Sequence, residues 1–139
     1  MESNNRTYKD ANQIAEEFKV LTDAVIGAAM EVHSYCGPGL LESAYQECLI
    51  DELTVRGIKV EKEVTIPFNY KGHLLSKAYV IDLLVEKSLI VELKSVENLL
   101  NVHRDQLRTY LKGSNLHIGL LINFKSDQLK GNINRIIVS

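Results

Sequence analysis

Along the first third of the chain, apolar residues recur at the three- and four-residue intervals of a helix face: Ile14, Phe18, Leu21, Val25, Ala29 and Val32. They predict a first helix, broken near Thr22, that ends before Gly37. Leu40, Leu41, Ala44, Cys48, Leu49 and Leu53 repeat the pattern on a second helix that stops near Gly57. Between the two, Gly37-Pro38-Gly39 reads as a turn; neither its glycine spacing nor its lack of a lysine suits a phosphate-binding loop. The period then changes. The runs "VEKEVTIPFNY", "HLLSKAYVIDLLV" and "SLIVELKS" are rich in branched and aromatic residues, are separated by turns such as Lys71-Gly72, and predict a three-stranded antiparallel meander. Helical spacing returns in "ENLLNVHRDQLRTYLKG", a helix over 98–112 that closes on Gly113, and "LHIGLLINF" and "NRIIVS" follow as strands. The helix is long enough to cross over, so strands 89–95 and 117–123 are expected as parallel neighbours with a right-handed connection. The fold class is α/β in the α+β sense: a mixed sheet with helices against it.

Composition narrows the setting. At 139 residues and 45% hydrophobic content the chain suits one packed domain, 1–139, with the polar residues 1–12 as a flexible N-terminal segment. Cys36 and Cys48 are too few for a disulfide scaffold or an iron–sulfur cluster, and with His33 they lack a fourth zinc ligand at a suitable spacing. A reducing, cytoplasmic setting is expected, with no membrane association, because no signal peptide or apolar span is visible. The net charge of −2 hides an asymmetry: residues 1–93 hold 9 basic and 15 acidic side chains, residues 94–139 hold 7 and 3. A positive face beside an acidic one suits a site for both a cation and a polyanion.

Chemistry concentrates in "IDLLVEKSLIVELKS", where Asp82, Glu92 and Lys94 stand among strongly apolar neighbours. Charges inside buried strands are costly unless they are paired or hold an ion. Glu92 and Lys94 are two apart and share a face. Asp82 joins them only if Val85 pairs with Leu89 across the connection Glu86-Lys87-Ser88; a two-residue turn would put it on the other face. In the first register the two carboxylates are directly opposed, about 5 Å apart at Cβ, and can hold Mg²⁺ through oxygen. The plainer reading is a strand-surface ion pair between Glu92 and Lys94. On the crossover helix, His103, Gln106 and Tyr110 form a polar stripe beside the apolar Leu99, Leu107 and Leu111.

Taken together, Asp82, then Glu92-Leu93-Lys94, then Gln106-Leu107-Arg108-Thr109-Tyr110 resemble the D…ExK…QxxxY series of the PD-(D/E)XK nuclease superfamily, above all its RecB-like and lambda-exonuclease-like branch. Gly39-Leu40-Leu41-Glu42-Ser43-Ala44-Tyr45 is similar to the signature of its GxxExxY family. The likeness runs from about residue 20 to the C-terminus; Ile81 stands where the superfamily name has proline. It implies a restriction-endonuclease-like core, in the element order already read from periodicity. It further implies that Asp82 and Glu92, with Glu42 from the helix before the meander, hold Mg²⁺ or Mn²⁺. Lys94 would orient or activate the attacking water, and Gln106 and Tyr110 would line the site and touch the nucleic acid or the water there. Glu42 also suits the first turn of a helix as a plain acidic residue. The function implied is a metal-dependent nuclease acting on DNA, with a second copy or a protein partner as a source of specificity. The alternatives are a catalytically silent nucleic-acid or protein-binding module on the same fold, and an enzyme for another phosphate substrate.

Overall fold

The computed structural model describes residues 10–75 and 79–139. Helix α1 (Ala11–Glu17) starts at Asp10, whose side chain accepts the Gln13 N–H at 2.9 Å, and α2 (Lys19–Cys36) follows after Phe18. The break expected near Thr22 thus falls at Phe18. Thr22 is buried and its hydroxyl donates back to the Lys19 carbonyl, which lets the helix run on through it. Residues 10–12 of the expected flexible segment belong to this helical start, and residues 1–9 lie outside the described residues. Helix α3 (Glu42–Val55) follows the Gly37-Pro38-Gly39 turn, at which Gly37 takes φ +74°.

The meander forms as β1 (Val60–Ile66), β4 (Tyr79–Val85) and β5 (Leu89–Lys94), antiparallel throughout. The first strand is shorter than expected because Pro67 has no N–H to donate. Asn69–Tyr70 (β2) and His73–Leu74 (β3) instead make a separate hairpin around Lys71 and Gly72, closed by the Gly72 N–H on the Asn69 side chain and the Leu75 N–H on the Phe68 carbonyl. Residues 76–78 of the expected second strand lie outside the described residues. The crossover helix α4 (Asn101–Ser114) leads to β6 (Ile118–Asn123), parallel to β5, and β7 (Ile133–Ile137) returns antiparallel to β6. The helix runs past Gly113 to Asn115, which takes the left-handed cap at φ +59°. At its start the His103 ring accepts the Leu100 N–H at 3.0 Å. The sheet order is β1-β4-β5-β6-β7, the mixed α/β sheet that the periodicity predicts.

Two apolar layers hold this sheet. Under α2 and α3 lie Leu83, Val85, Leu89, Val91 and Leu93, with Ile118, Leu120 and Ile122 of β6; on the other face Ile81, Ile90 and Leu121 pack against Leu107 and Leu111 of α4. Strand β6 is buried along its whole length and β5 at all but its last residue, as central strands covered on both faces must be. Gly119 on β6 admits α4: a Cβ there would stand 2.9 Å from a Leu107 methyl and 3.2 Å from the Ile90 carbonyl.

Strand β4 is irregular in its middle. Leu83 packs under α2 and α3 while Ile81, two residues earlier, packs under α4, although alternate residues of a regular strand share a face. The switch lies at Asp82. Its cross-strand neighbour Glu63 has φ +53°, and the β1–β4 pairing skips these two residues between Lys62–Leu83 and Val64–Ile81.

Candidate active site

The β4–β5 register follows from the Glu86-Lys87-Ser88 connection, in which Glu86 and Lys87 both take left-handed conformations. Glu86 ties the hairpin to the chain before β1: its N–H donates to the Lys59 carbonyl and its carboxylate accepts the Lys59 N–H, both at 2.9 Å. Val85 pairs with Leu89, Leu84 with Ile90, and Leu83 with Val91, and the backbone pairing ends there, one step short of Asp82 and Glu92. There the ladder changes character. The Asp82 N–H donates to Glu92 Oε2 and the Leu93 N–H donates to Asp82 Oδ2, each at 2.8 Å. Beyond this point β4 stays with β1 and β5 with β6. The sheet forks, and the two carboxylates fill the fork.

Their surroundings are poor in water. Glu92 is 6% exposed. Burial, and then the Asp82 charge beside it, push the Glu92 carboxyl up to about 8. The Asp82 carboxyl is also raised, by burial first, against the opposing pull of the Leu93 N–H and of Lys94. Among the described residues no cation stands within ion-pair distance of either, so Glu92 and Lys94 do not form the strand-surface ion pair of the plainer reading. Lys94 is half-buried at the end of β5 and acts on both acids through its charge.

Glu42 is the first residue of α3, and it does not fold back on its own helix. Its Oε2 accepts the Ser95 N–H at 3.2 Å, just past the end of β5. With Ser43, Gln46, Glu63, Asp82 and Leu93 it lines a cavity of about 270 Å³. Glu92 lies behind this cavity, toward α4. Among the described residues no three His, Cys, Asp or Glu side chains are drawn together as a ready metal cluster. The Asp82–Glu92 pair nevertheless fits a hard divalent ion: two carboxylates raised by burial, with no cation in ion-pair contact among the described residues, are a donor set such an ion satisfies, since Mg²⁺ is commonly held by one or two carboxylates and completes its shell with water. Tyr110 is buried on α4, its ring 4.9 Å from that of Tyr79, and its hydroxyl is pushed up to about 12 by burial and then by the Glu92 charge. Gln106, one turn earlier, is exposed, and its side chain makes no hydrogen bond among the described residues.

A sequence profile for the PD-(D/E)XK nuclease superfamily matches residues 19–136, from the start of α2 into β7. The chain belongs to this superfamily. The solved structure titled "Crystal structure of SSO0001" is similar at a TM-score of 0.56 and 18% identity; the match covers 98% of this chain and 71% of that one, and it bears on the fold alone. Comparison with curated proteins finds no match. No helix among the described residues is long and apolar enough to cross a membrane.

Two parts of this candidate site in the PD-(D/E)XK chain escape sequence reasoning. Gln46 donates to the Asp82 carbonyl at 3.0 Å; its place four residues after Glu42 on one helix face was the available signal. Glu63 enters through its left-handed backbone, which no residue pattern announces. Tyr45 has a role different from that of a site residue. Its ring is fully buried and stacks on Phe124 at 4.3 Å, and its hydroxyl accepts the Leu40 N–H and donates to the Gly37 carbonyl. It latches the Gly-Pro-Gly turn to the helix that carries Glu42.

Proposed function

We propose that the chain is a metal-dependent nuclease acting on DNA, of the GxxExxY kind within its superfamily. The opposed, desolvated carboxylates of Asp82 and Glu92 at the sheet fork carry this reading. Asp82 and Glu92 would hold Mg²⁺ or Mn²⁺, and Glu42 would join them through Oε1, the oxygen not engaged with Ser95. When bound, such an ion supplies a Lewis acid that shares the charge developing on a phosphodiester and acidifies water. The chain's own residues do the rest. Asp82 and Glu92 are pre-set by backbone N–H donors, so little rearrangement is required of them. Lys94, which cannot ligate a hard cation while protonated, orients the attacking water and offsets negative charge on the phosphate. Tyr110, held neutral by its raised pKa, is a hydrogen-bond donor at any working pH, and Gln106 reaches out from the same helix toward the nucleic acid.

The test separates holding an ion from using it. Lys94→Met should abolish cleavage of DNA and leave Mn²⁺ binding by calorimetry nearly intact, whereas Glu92→Gln should lose both. If Lys94→Met instead unfolds the protein, and the wild type neither binds Mn²⁺ nor cuts, the chain is a silent module on the nuclease fold.

A further inference from the structure

Behind the carboxylate pair, on the α4 side of the fork, three rings from separate parts of the chain meet. Tyr79 opens β4, three residues before Asp82 and so about 10 Å from it along the strand. The Phe68 ring meets it edge-on at 5.9 Å and the Tyr110 ring is tilted against it at 4.9 Å. Tyr110 is itself part of the core on α4, so Tyr79 leans on a ring that is fixed before any ligand arrives, with Phe68 of the loop after β1 against its edge. Yet Tyr79 is 40% exposed. Tyr110 connects this cluster to the site, because the charges of Glu92 and Asp82 both act on its hydroxyl. The kink at Glu63 and Asp82 explains the placement: it turns the far end of the β1–β4 ribbon onto α4, and without it Tyr79 would continue the alternation set by Leu83 and face the other layer.

The charge of the molecule says what such a ring is for. The basic excess of residues 94–139 is modest and the chain as a whole carries −2, so phosphate contacts, which hold nucleic acid only in proportion to the cations supplied, leave part of the affinity to other contacts. Short-range contacts must then add to it. A rigid aromatic ring supplies one, since bases stack on aromatic side chains regardless of sequence, provided the base face is free. Inside a duplex it is not.

We propose that Tyr79 is a stacking platform for an unpaired nucleobase flanking the cleaved phosphodiester, which makes single-stranded or end-frayed nucleic acid the substrate class. The platform rests on the nuclease reading for its purpose, but its binding is measurable without cleavage. The probes are a short single-stranded oligonucleotide carrying 2-aminopurine and a blunt duplex of the same length, both in chelator so that nothing is cut. Tyr79→Leu keeps apolar packing against Phe68 and Tyr110 and removes the stacking face. It should weaken single-strand binding by about 5- to 150-fold, the worth of one base–aromatic stack, abolish the 2-aminopurine quenching, and leave duplex binding as it was. Tyr79→Phe and Tyr79→Trp should keep both affinity and quenching.

The platform is overturned by a wild type that binds no single strand, by a Tyr79→Leu protein that binds it as tightly as wild type, or by equal losses of single-strand and duplex binding. A destabilised Tyr79→Leu protein leaves the Trp variant to decide, since a platform predicts retained or tighter single-strand binding and a packing role predicts neither. Quenching without any cleavage by the wild type in Mg²⁺ would remove the nuclease reading and keep the platform. Cleavage of single strands undiminished in Tyr79→Leu would do the reverse.

Discussion

At the scale of single residues, the proposed function turns on carboxylates that are costly to keep charged. Glu92 has its carboxyl raised from 4.5 to about 8, so the folded chain holds a proton there that the unfolded chain releases. The stability this contributes is present in full below pH 4.5, falls as pH rises, and is gone above about 8. The metal-free protein should therefore lose a few kcal/mol across that window, read as a falling melting temperature. Glu92→Gln keeps an oxygen to accept the Asp82 N–H and has no charge to bury, so it should flatten the slope. An unchanged slope in that variant would mean Glu92 is not the titrating group. The candidates Asp82, Glu92 and Lys94 were legible in the sequence because a charge in an apolar strand stands out. Gln46 was not, since a glutamine on a helix is ordinary until its partner, the Asp82 carbonyl, is known.

At the scale of elements, periodicity located the helices and strands, and the length of one connection decided the register. Apolar spacing reports which residues are buried, and burial on two faces is what makes β5 and β6 read as continuous runs. It does not report backbone conformation, which is why the Phe18 break, the Asn115 cap and the Glu63 kink were invisible. The GxxExxY stretch shows the difference within one motif. Glu42 reaches across to Ser95, whereas Tyr45 anchors the turn that presents it. Tyr45→Phe keeps the stacked ring and leaves the Leu40 N–H without its acceptor, so it should cost about 1–3 kcal/mol in urea denaturation. Hydrogen exchange at the Leu40 amide should quicken as well. Glu42→Gln, by contrast, should weaken Mn²⁺ binding with little loss of stability. Unchanged Leu40 protection in Tyr45→Phe would show that the ring alone holds the turn.

At the scale of the whole molecule, the sheet is one continuous structure that opens at a single place. The β1–β4 ribbon and the β5–β6–β7 half share a register up to Leu83 and Val91 and part beyond it. Helix α3 brings Glu42 to one side of the opening, and α4 brings Tyr110 to the other. The charge split along the sequence matches this division only in part: acidic residues dominate the cavity beside α3, and the basic excess follows Lys94 into the crossover helix and the last strands. Whether this fork is a working phosphodiesterase site is tested most directly by incubating the purified protein in Mg²⁺ or Mn²⁺ with single-stranded, duplex and branched DNA and with RNA, beside Asp82→Ala prepared in parallel. The expected result is ion-dependent cleavage of DNA by the wild type and none by Asp82→Ala; equal cleavage by the two proteins, or no cleavage of any substrate by the wild type, would contradict it.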